Sequence, residues 1–336
     1  MSSPFPSSLR PAATTPRLSQ SPRFRGLIAA PHTPFRDDAT RTLDPSRIAD
    51  QAAFLNRSGV VGVFIGGSTG EWSSLTLEER LTLARVWSET IAPQQPGAGL
   101  KLLIHVGSNC QADSIALAAQ ARELKADAVA ALAPSYVKPR TVADLVEFLT
   151  PIAQAAGDRP FFYYDIPSLT GVELPASEVL RLGGERWPNL AGLKFTNPDL
   201  MELQACLEIA ADRFEVLFGV DELLLAAACH GVVGAIGTSY TCAAPGFARI
   251  LAAVQLGDLE AARAAQREAT AFVRAVEPLN LVRGTKAVCR LLGLDLGPCR
   301  PPLTPLTEEE TERLRERIRS FNLFPQMVAT AESQAV

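Results

Sequence analysis

The chain has 336 residues, 47% of them hydrophobic and 20% charged, with a formal net charge of −4. That length suits one large α/β barrel with additions or two smaller domains, and the apolar content argues against disorder over most of the chain. No basic block or aromatic-basic stripe points to nucleic acid, and no apolar run approaches the ~18 residues of a membrane helix.

Residues 1–25 carry Arg10, Arg17, Arg23 and Arg25, many serines and no acid, a composition shared with transit peptides. Pro4, Pro6, Pro11, Pro16 and Pro22 would break the amphipathic helix such a peptide needs, so a disordered tail or an upstream start is expected instead. Residues 323–336 are expected to form a second flexible tail. The six cysteines, Cys110, Cys206, Cys229, Cys242, Cys289 and Cys299, form no CxxC pair and share no zinc-type spacing with histidine. They read as reduced thiols of a cytoplasmic protein without a metal.

Between the tails, short apolar runs alternate with longer amphipathic stretches. Strands are predicted at Gly26–Ala30, Val60–Gly66, Lys101–Val106, Ala128–Ala133, Pro160–Ile166, Ala191–Thr196, Phe214–Val220 and Gly231–Gly237. Helical patterns separate them, among them Asp44–Asn56, Leu77–Ile91, Ala112–Leu124, Val142–Ala156 and Leu200–Ala210. Thr76 before Leu77-Glu78-Glu79 is a helix start, and Asn197-Pro198 is expected to open the helix after Thr196. Eight such units predict the α/β class with a closed (β/α)8 TIM barrel over 26–240. Helices at Ala244–Leu256, Leu259–Val276, Pro278–Leu292 and Glu308–Phe321 predict a C-terminal helical extension over 241–322. An open doubly wound sheet would want a Gly-rich phosphate loop. The candidate, Gly66-Gly67-Ser68-Thr69-Gly70, lacks both the dinucleotide fingerprint and the P-loop lysine.

The chain has five lysines. Lys101 opens a strand, Lys125 ends a helix, Lys138 sits in a loop and Lys286 lies in a helix; all four read as solvated. Lys194 lies within Ala191-Gly192-Leu193-Lys194-Phe195-Thr196. Alternation puts Leu193 and Phe195 on one face and Lys194 with Thr196 on the other, inside the barrel near its C-terminal mouth. Lost hydration there disfavours the ammonium form, and a free amine condenses with a ketone. A lysine salt-bridged at a strand end fits the same residues. On neighbouring strand ends, Tyr164 is either a proton shuttle or packing. Gly67-Ser68-Thr69-Gly70-Glu71 is either a carboxylate cradle or a plain turn. Asp221 and Glu222 are either acceptors for sugar hydroxyls or a solvated helix start. His32, His105 and His230 read as structural.

Taken in order, these motifs resemble the N-acetylneuraminate lyase and dihydrodipicolinate synthase family of pyruvate-dependent aldolases, from about Arg25 to Phe321. The resemblance rests on Ala29-Ala30 with Thr33-Pro34-Phe35, the Gly67–Glu71 motif, Tyr164 to Pro167 followed by Thr170-Gly171, and Gly192-Leu193-Lys194. It implies an imine between Lys194 and pyruvate, with Tyr164 moving protons. It implies that Ser68 and Thr69 hold the pyruvate carboxylate and complete a relay with Tyr164, and that Tyr136 reaches a neighbouring subunit's site in a homotetramer. Ala30 and Gly67 join the implied substrate contacts. Leu169 stands where lysine-pathway synthases carry an arginine for a dicarboxylate, so the lyase branch is closer. Its sugar contacts fall on Thr196, Gly219, Asp221, Glu222 and Thr238. Thr238, Thr241 and Ser135 depart from the usual serine, asparagine and aromatic. The expected reaction is cleavage of N-acetylneuraminate, or a related 2-keto-3-deoxy sugar acid, to pyruvate and an aldehyde, with no metal or organic cofactor. The rivals are another keto acid substrate, including a synthase-like or dehydratase reaction, and a ligand-binding barrel that has lost turnover.

Overall fold

A computed structural model describes residues 24–324, apart from positions 96 and 212. Most of the two expected tails lies outside these residues. The strands are β1 (Gly26–Ala29), β2 (Gly62–Ile65), β3 (Lys101–His105), β4 (Ala128–Leu132), β5 (Phe161–Asp165), β6 (Leu190–Phe195), β7 (Glu215–Phe218) and β8 (Gly234–Gly237). They run parallel in sequence order, and β8 pairs with β1 to close the barrel. The helices that follow them are α1 (Ile48–Arg57), α2 (Leu77–Thr90), α3 (Gln111–Glu123), α4 (Val142–Ala155), α5 (Pro167–Thr170), α6 (Ala176–Arg186), α7 (Leu200–Ala210) and α8 (Leu224–Cys229). Beyond β8 come α9 (Tyr240–Gln255), α10 (Leu259–Val276), α11 (Leu281–Leu291) and α12 (Glu308–Ile318). The expected boundary at 240/241 falls inside the first turn of α9.

Strand alternation sorts the core into two layers. Leu193, Phe195, Tyr163 and Val63 face outward into the large cluster shared with the helices. Ile28, Phe64, Leu103, Phe162, Tyr164 and Ile236 fill the barrel interior. Between β5 and β6 the register slips by one residue: Phe161 pairs with Leu190 and Phe162 with Gly192. This bulge at Ala191 leaves Lys194 opposite Tyr164 on the next strand.

Several local expectations change. The packed fold extends past both expected tail boundaries. Phe24 is buried under the barrel with its ring edge-on to Phe162, and Leu323 and Phe324 are buried, Phe324 against Phe272. Thr76 caps α2 through a reciprocal bond with Glu79, as its spacing indicates. The next helix start is not Asn197-Pro198: Asp199 caps α7 by accepting from Met201 and Glu202, while Asn197 reaches back to Asp165. The run from Pro278 does not form one helix. Asn280, at φ 64°, breaks it and caps α11.

Candidate active site

Lys194 sits at the last inward position of β6 and is 5% exposed. Its Nζ lies 4.1 Å from the centre of the Tyr164 ring and 4.3 Å from that of Phe64. It takes part in no ion pair among the described residues. The Phe64 and Tyr164 rings meet edge to face at 5.6 Å, and His105 meets Tyr164 at the same separation. Burial and the Arg80 charge hold His105 well below the usual imidazole range, so the ring is neutral. Its Nδ1 faces the Gly66 carbonyl at 2.8 Å, which assigns the proton to that nitrogen and anchors the loop after β2.

That loop carries the predicted cradle. Ser68 Oγ lies 3.4 Å from the Tyr164 hydroxyl, and Thr69 Oγ1 pairs with Thr238 Oγ1 at 2.6 Å. Of the two loop hydroxyls implied in the relay, Ser68 meets Tyr164 and Thr69 meets Thr238 at the β8 end. Thr33 donates its hydroxyl to the Gly70 carbonyl at 2.7 Å. Gly67 is buried, and a Cβ there would lie 2.7 Å from Phe64. Ala30 is buried beside β8, its N–H donating to Gly237 O at 3.0 Å.

Across the mouth, the β6 and β7 ends present Thr196 Oγ1, buried with no hydrogen-bond partner among the described residues, and the buried Asp221 carboxyl, which has the Ser239 and Tyr240 hydroxyls as neighbours. Glycines make the room around both. A Cβ on Gly219 would lie 2.0 Å from Thr196 Oγ1, and one on Gly237 would lie 1.9 Å from Asp221 Oδ1. The other Asp221 oxygen accepts from Ser239 N at 2.8 Å. Burial pushes the Asp221 carboxyl up to about 6, with the Ser239 bond opposing it and the Lys194 charge opposing it weakly. Glu222 is half-buried, and its carbonyl accepts from Gln266 and Thr270 of α10. Tyr136 is not brought to this site within the chain. It is 88% exposed, on a loop whose N–H groups at Ser135 and Tyr136 donate to Asn109.

One sequence reading is overturned here. Lys286 is not solvated: it is 3% exposed, and its Nζ donates to the Thr33 and Pro298 carbonyls at 2.8 Å and meets Glu71 Oε1 at 3.3 Å. Glu71, in the left-handed region at φ 55°, also accepts from Arg300 N at 2.8 Å. Lys286 is committed to a carboxylate and two carbonyls, whereas Lys194 faces aromatic rings. The distinction rests on partners, not on burial. Phe64, His105 and the Lys286–Glu71 pair are the parts of the site that sequence reading did not single out. Glu71 was visible in the motif, but its partner is 215 positions away.

A parallel eight-stranded barrel with a lysine amine at its C-terminal mouth, a tyrosine beside it and a hydroxyl on that tyrosine defines an aldolase of the Schiff-base kind. The chain belongs to the dihydrodipicolinate synthetase family, whose model matches residues 23–320. It is 35% identical to the N-acetylneuraminate lyase of Rattus norvegicus over 306 residues, covering 90% of this chain and 94% of the relative. It is 34% identical to that of Homo sapiens over the same shares. Among solved structures, N-acetylneuraminate lyase (sialic acid aldolase) from Aliivibrio salmonicida superposes with a TM-score of 0.84 at 35% identity, covering 89% of this chain and 97% of that one. A dihydrodipicolinate synthase from Bacillus anthracis gives 0.81 at 27% identity, covering 89% and 99%. Among the described residues, no helix is long and apolar enough to cross a membrane.

Proposed function

We propose that this enzyme reversibly cleaves N-acetylneuraminate to N-acetylmannosamine and pyruvate through an imine on Lys194. The observation that carries this reading is the Lys194 amine lying 4.1 Å from the Tyr164 ring, with Ser68 beside the Tyr164 hydroxyl. The names borne by the relatives support the substrate. In the cleavage direction, Lys194 Nζ attacks the C2 ketone of the open-chain sugar acid and water leaves, giving the iminium. Tyr164, with Ser68 as its hydroxyl partner, removes the C4 hydroxyl proton. The C3–C4 bond breaks, its electron pair enters the iminium as an enamine, and the aldehyde departs. A proton returns to C3, and water hydrolyses the imine to pyruvate and free Lys194. The iminium is the electron sink, so the reaction needs no metal or organic cofactor.

We assign the pyruvate carboxylate to the Ser68–Thr69 turn, with Gly67 and Ala30 leaving space for it. Thr196, Gly219, Asp221, Glu222 and Thr238 are assigned to the sugar chain; the unpartnered buried oxygen of Thr196 supports this, since a hydroxyl would complete it. We read residues 26–240, with Phe24 packed beneath them, as the barrel and 241–322, with Leu323 and Phe324 packed on them, as its helical extension, α9 running across the join. The exposed Tyr136 ring supports a homotetramer in which it enters a neighbouring site, in a cytoplasmic enzyme.

The test is borohydride reduction in the presence of pyruvate, followed by peptide mass analysis. A reduced pyruvyl adduct on Lys194 is expected, with cleavage of N-acetylneuraminate that is lost in Lys194→Ala. An adduct elsewhere, or pyruvate release by Lys194→Ala, sinks the proposal. A trapped adduct without cleavage of N-acetylneuraminate, but with cleavage of another 2-keto-3-deoxy acid, would keep the mechanism and replace the substrate.

A further inference from the structure

On the outer helical layer lies a groove of about 660 Å³ between α8, α10 and α12. Four arginines line it: Arg263, Arg267 and Arg274 from α10, and Arg317 from α12. The three on α10 are spaced by four and seven residues, which sets them on one stripe of the helix. No lining residue is acidic, and among the described residues none of the four arginines is in an ion pair. Arg290 and Arg319 of the same region are likewise outside any ion pair among the described residues, but neither lines the groove. Nearby, Arg249 pairs with Glu268, Arg283 with Glu310, Arg313 with Glu309 and Arg315 with Glu312. In a chain of net charge −4, four arginines outside any ion pair among the described residues, gathered in one concavity, favour an anion there. The floor between them is apolar, with Leu225, Ala271 and Ala275.

The same groove touches the support of the catalytic mouth. Gln266 and Thr270 line it, and both hold the loop after β7. Gln266 accepts from Leu225 N at 2.7 Å and donates to Glu222 O at 3.0 Å, and Thr270 donates to Glu222 O at 3.4 Å. Glu222 follows Asp221, whose carboxylate stands at the β8 end. One helix therefore presents the arginines on its outer stripe and fixes the Asp221–Glu222 turn through its neighbouring positions.

We propose that this groove is a second binding site, for a small organic polyanion bearing two or more carboxylates or phosphates on an apolar frame. Its occupancy is read at the active site through Gln266, Thr270 and the Glu222 carbonyl. Guanidinium groups match such anions with paired N–H donors, and the apolar floor takes the carbon frame. The coupling half rests on the assignment of Asp221 and Glu222 to the sugar; the binding half does not. The coupling half requires the ligand to bind more tightly to one placement of the Asp221–Glu222 turn than to another.

The experiment uses the full-length protein, with citrate and inorganic pyrophosphate as probes, in titration calorimetry at low and physiological salt. One-to-one binding per chain is expected, weakened at least about tenfold in Arg267→Ala/Arg274→Ala and unchanged in Arg313→Ala/Arg315→Ala. These side chains are exposed, so both variants should fold. Saturating citrate is expected to change the KM for N-acetylneuraminate in the parent and not in the first variant. No binding, or equal loss in both variants, overturns the site. Binding with unchanged KM keeps the site and overturns the coupling. A fall in oligomer mass in Arg267→Ala/Arg274→Ala, without citrate binding to the parent, overturns the proposal in favour of a second copy in the groove. Pyruvate trapping on Lys194 is measured in parallel, so failure of the groove and failure of the catalytic reading are told apart.

Discussion

Lys286 of α11 and Glu71 of the loop after β2 form a buried ion pair, 3% and 4% exposed, with Nζ 3.3 Å from Oε1. Burial lowers the Lys286 ammonium from its usual range, while Glu71 holds it up. Removing one partner leaves the other charge buried. Lys286→Met is therefore expected to cost about 3–5 kcal/mol in denaturant unfolding. Lys286→Met/Glu71→Gln should cost less than Lys286→Met alone, because no charge is then stranded. Equal losses in the two would contradict the pairing.

Tyr164 is expected to act after the imine forms. Tyr164→Phe keeps the ring over Lys194 and loses the hydroxyl that meets Ser68. The kcat should fall by about 10²–10⁴, the range for removing a proton-transfer group, while borohydride still traps pyruvate on Lys194. Loss of trapping would place Tyr164 in imine formation instead.

The Asp221 carboxyl is raised from 3.8 to about 6. Its folded value lies above its unfolded one, so the folded chain holds the extra proton between these pH values. The associated stability is full below pH 4 and is lost as pH rises through 6, on the order of 3 kcal/mol at 1.4 kcal/mol per unit. Asp221→Asn keeps the shape and cannot ionise. It should unfold at higher denaturant than the parent at pH 8, with little difference at pH 4, and with a raised KM for the sugar acid. Parallel pH profiles for the two proteins would refute the burial of an ionised group.

Leu169 is 64% exposed on α5 at the mouth. Leu169→Arg should leave stability within about 0.5 kcal/mol. It should improve kcat/KM for an aldehyde carrying a second carboxylate relative to N-acetylmannosamine in the condensation direction. No change in that ratio would remove position 169 from specificity.

The barrel was legible because each strand signals itself locally. Runs such as Phe161–Ile166 and Ala191–Thr196 carry their own periodicity, and Lys194 stood out as a charge inside one. What could not be read was anything joining distant segments. Lys286 lies in a helix with Arg283 and Arg290 that reads as partly solvated, and its burial is imposed by Glu71, Thr33 and Pro298 from elsewhere in the chain. The division of Ser68 and Thr69 between Tyr164 and Thr238 depends on how β2, β5 and β8 meet in space. Phe24 reads as part of a tail because an aromatic between Arg23 and Arg25 carries no period; its burial depends on Phe162 and Glu215 from distant strands.

The Lys286–Glu71 pair also bears on how the protein is made. Glu71 leaves the ribosome 215 residues ahead of its counter-charge, after β2 and long before α11 exists. All eight strands are synthesised before Lys286, so the tie between Glu71 and α11 is unavailable until the barrel sequence is complete. A product that stops short of α11 would carry Lys194 and Tyr164 on a barrel whose loop after β2 keeps its ties to His105, Thr33 and Thr238 but leaves Glu71 without its counter-charge.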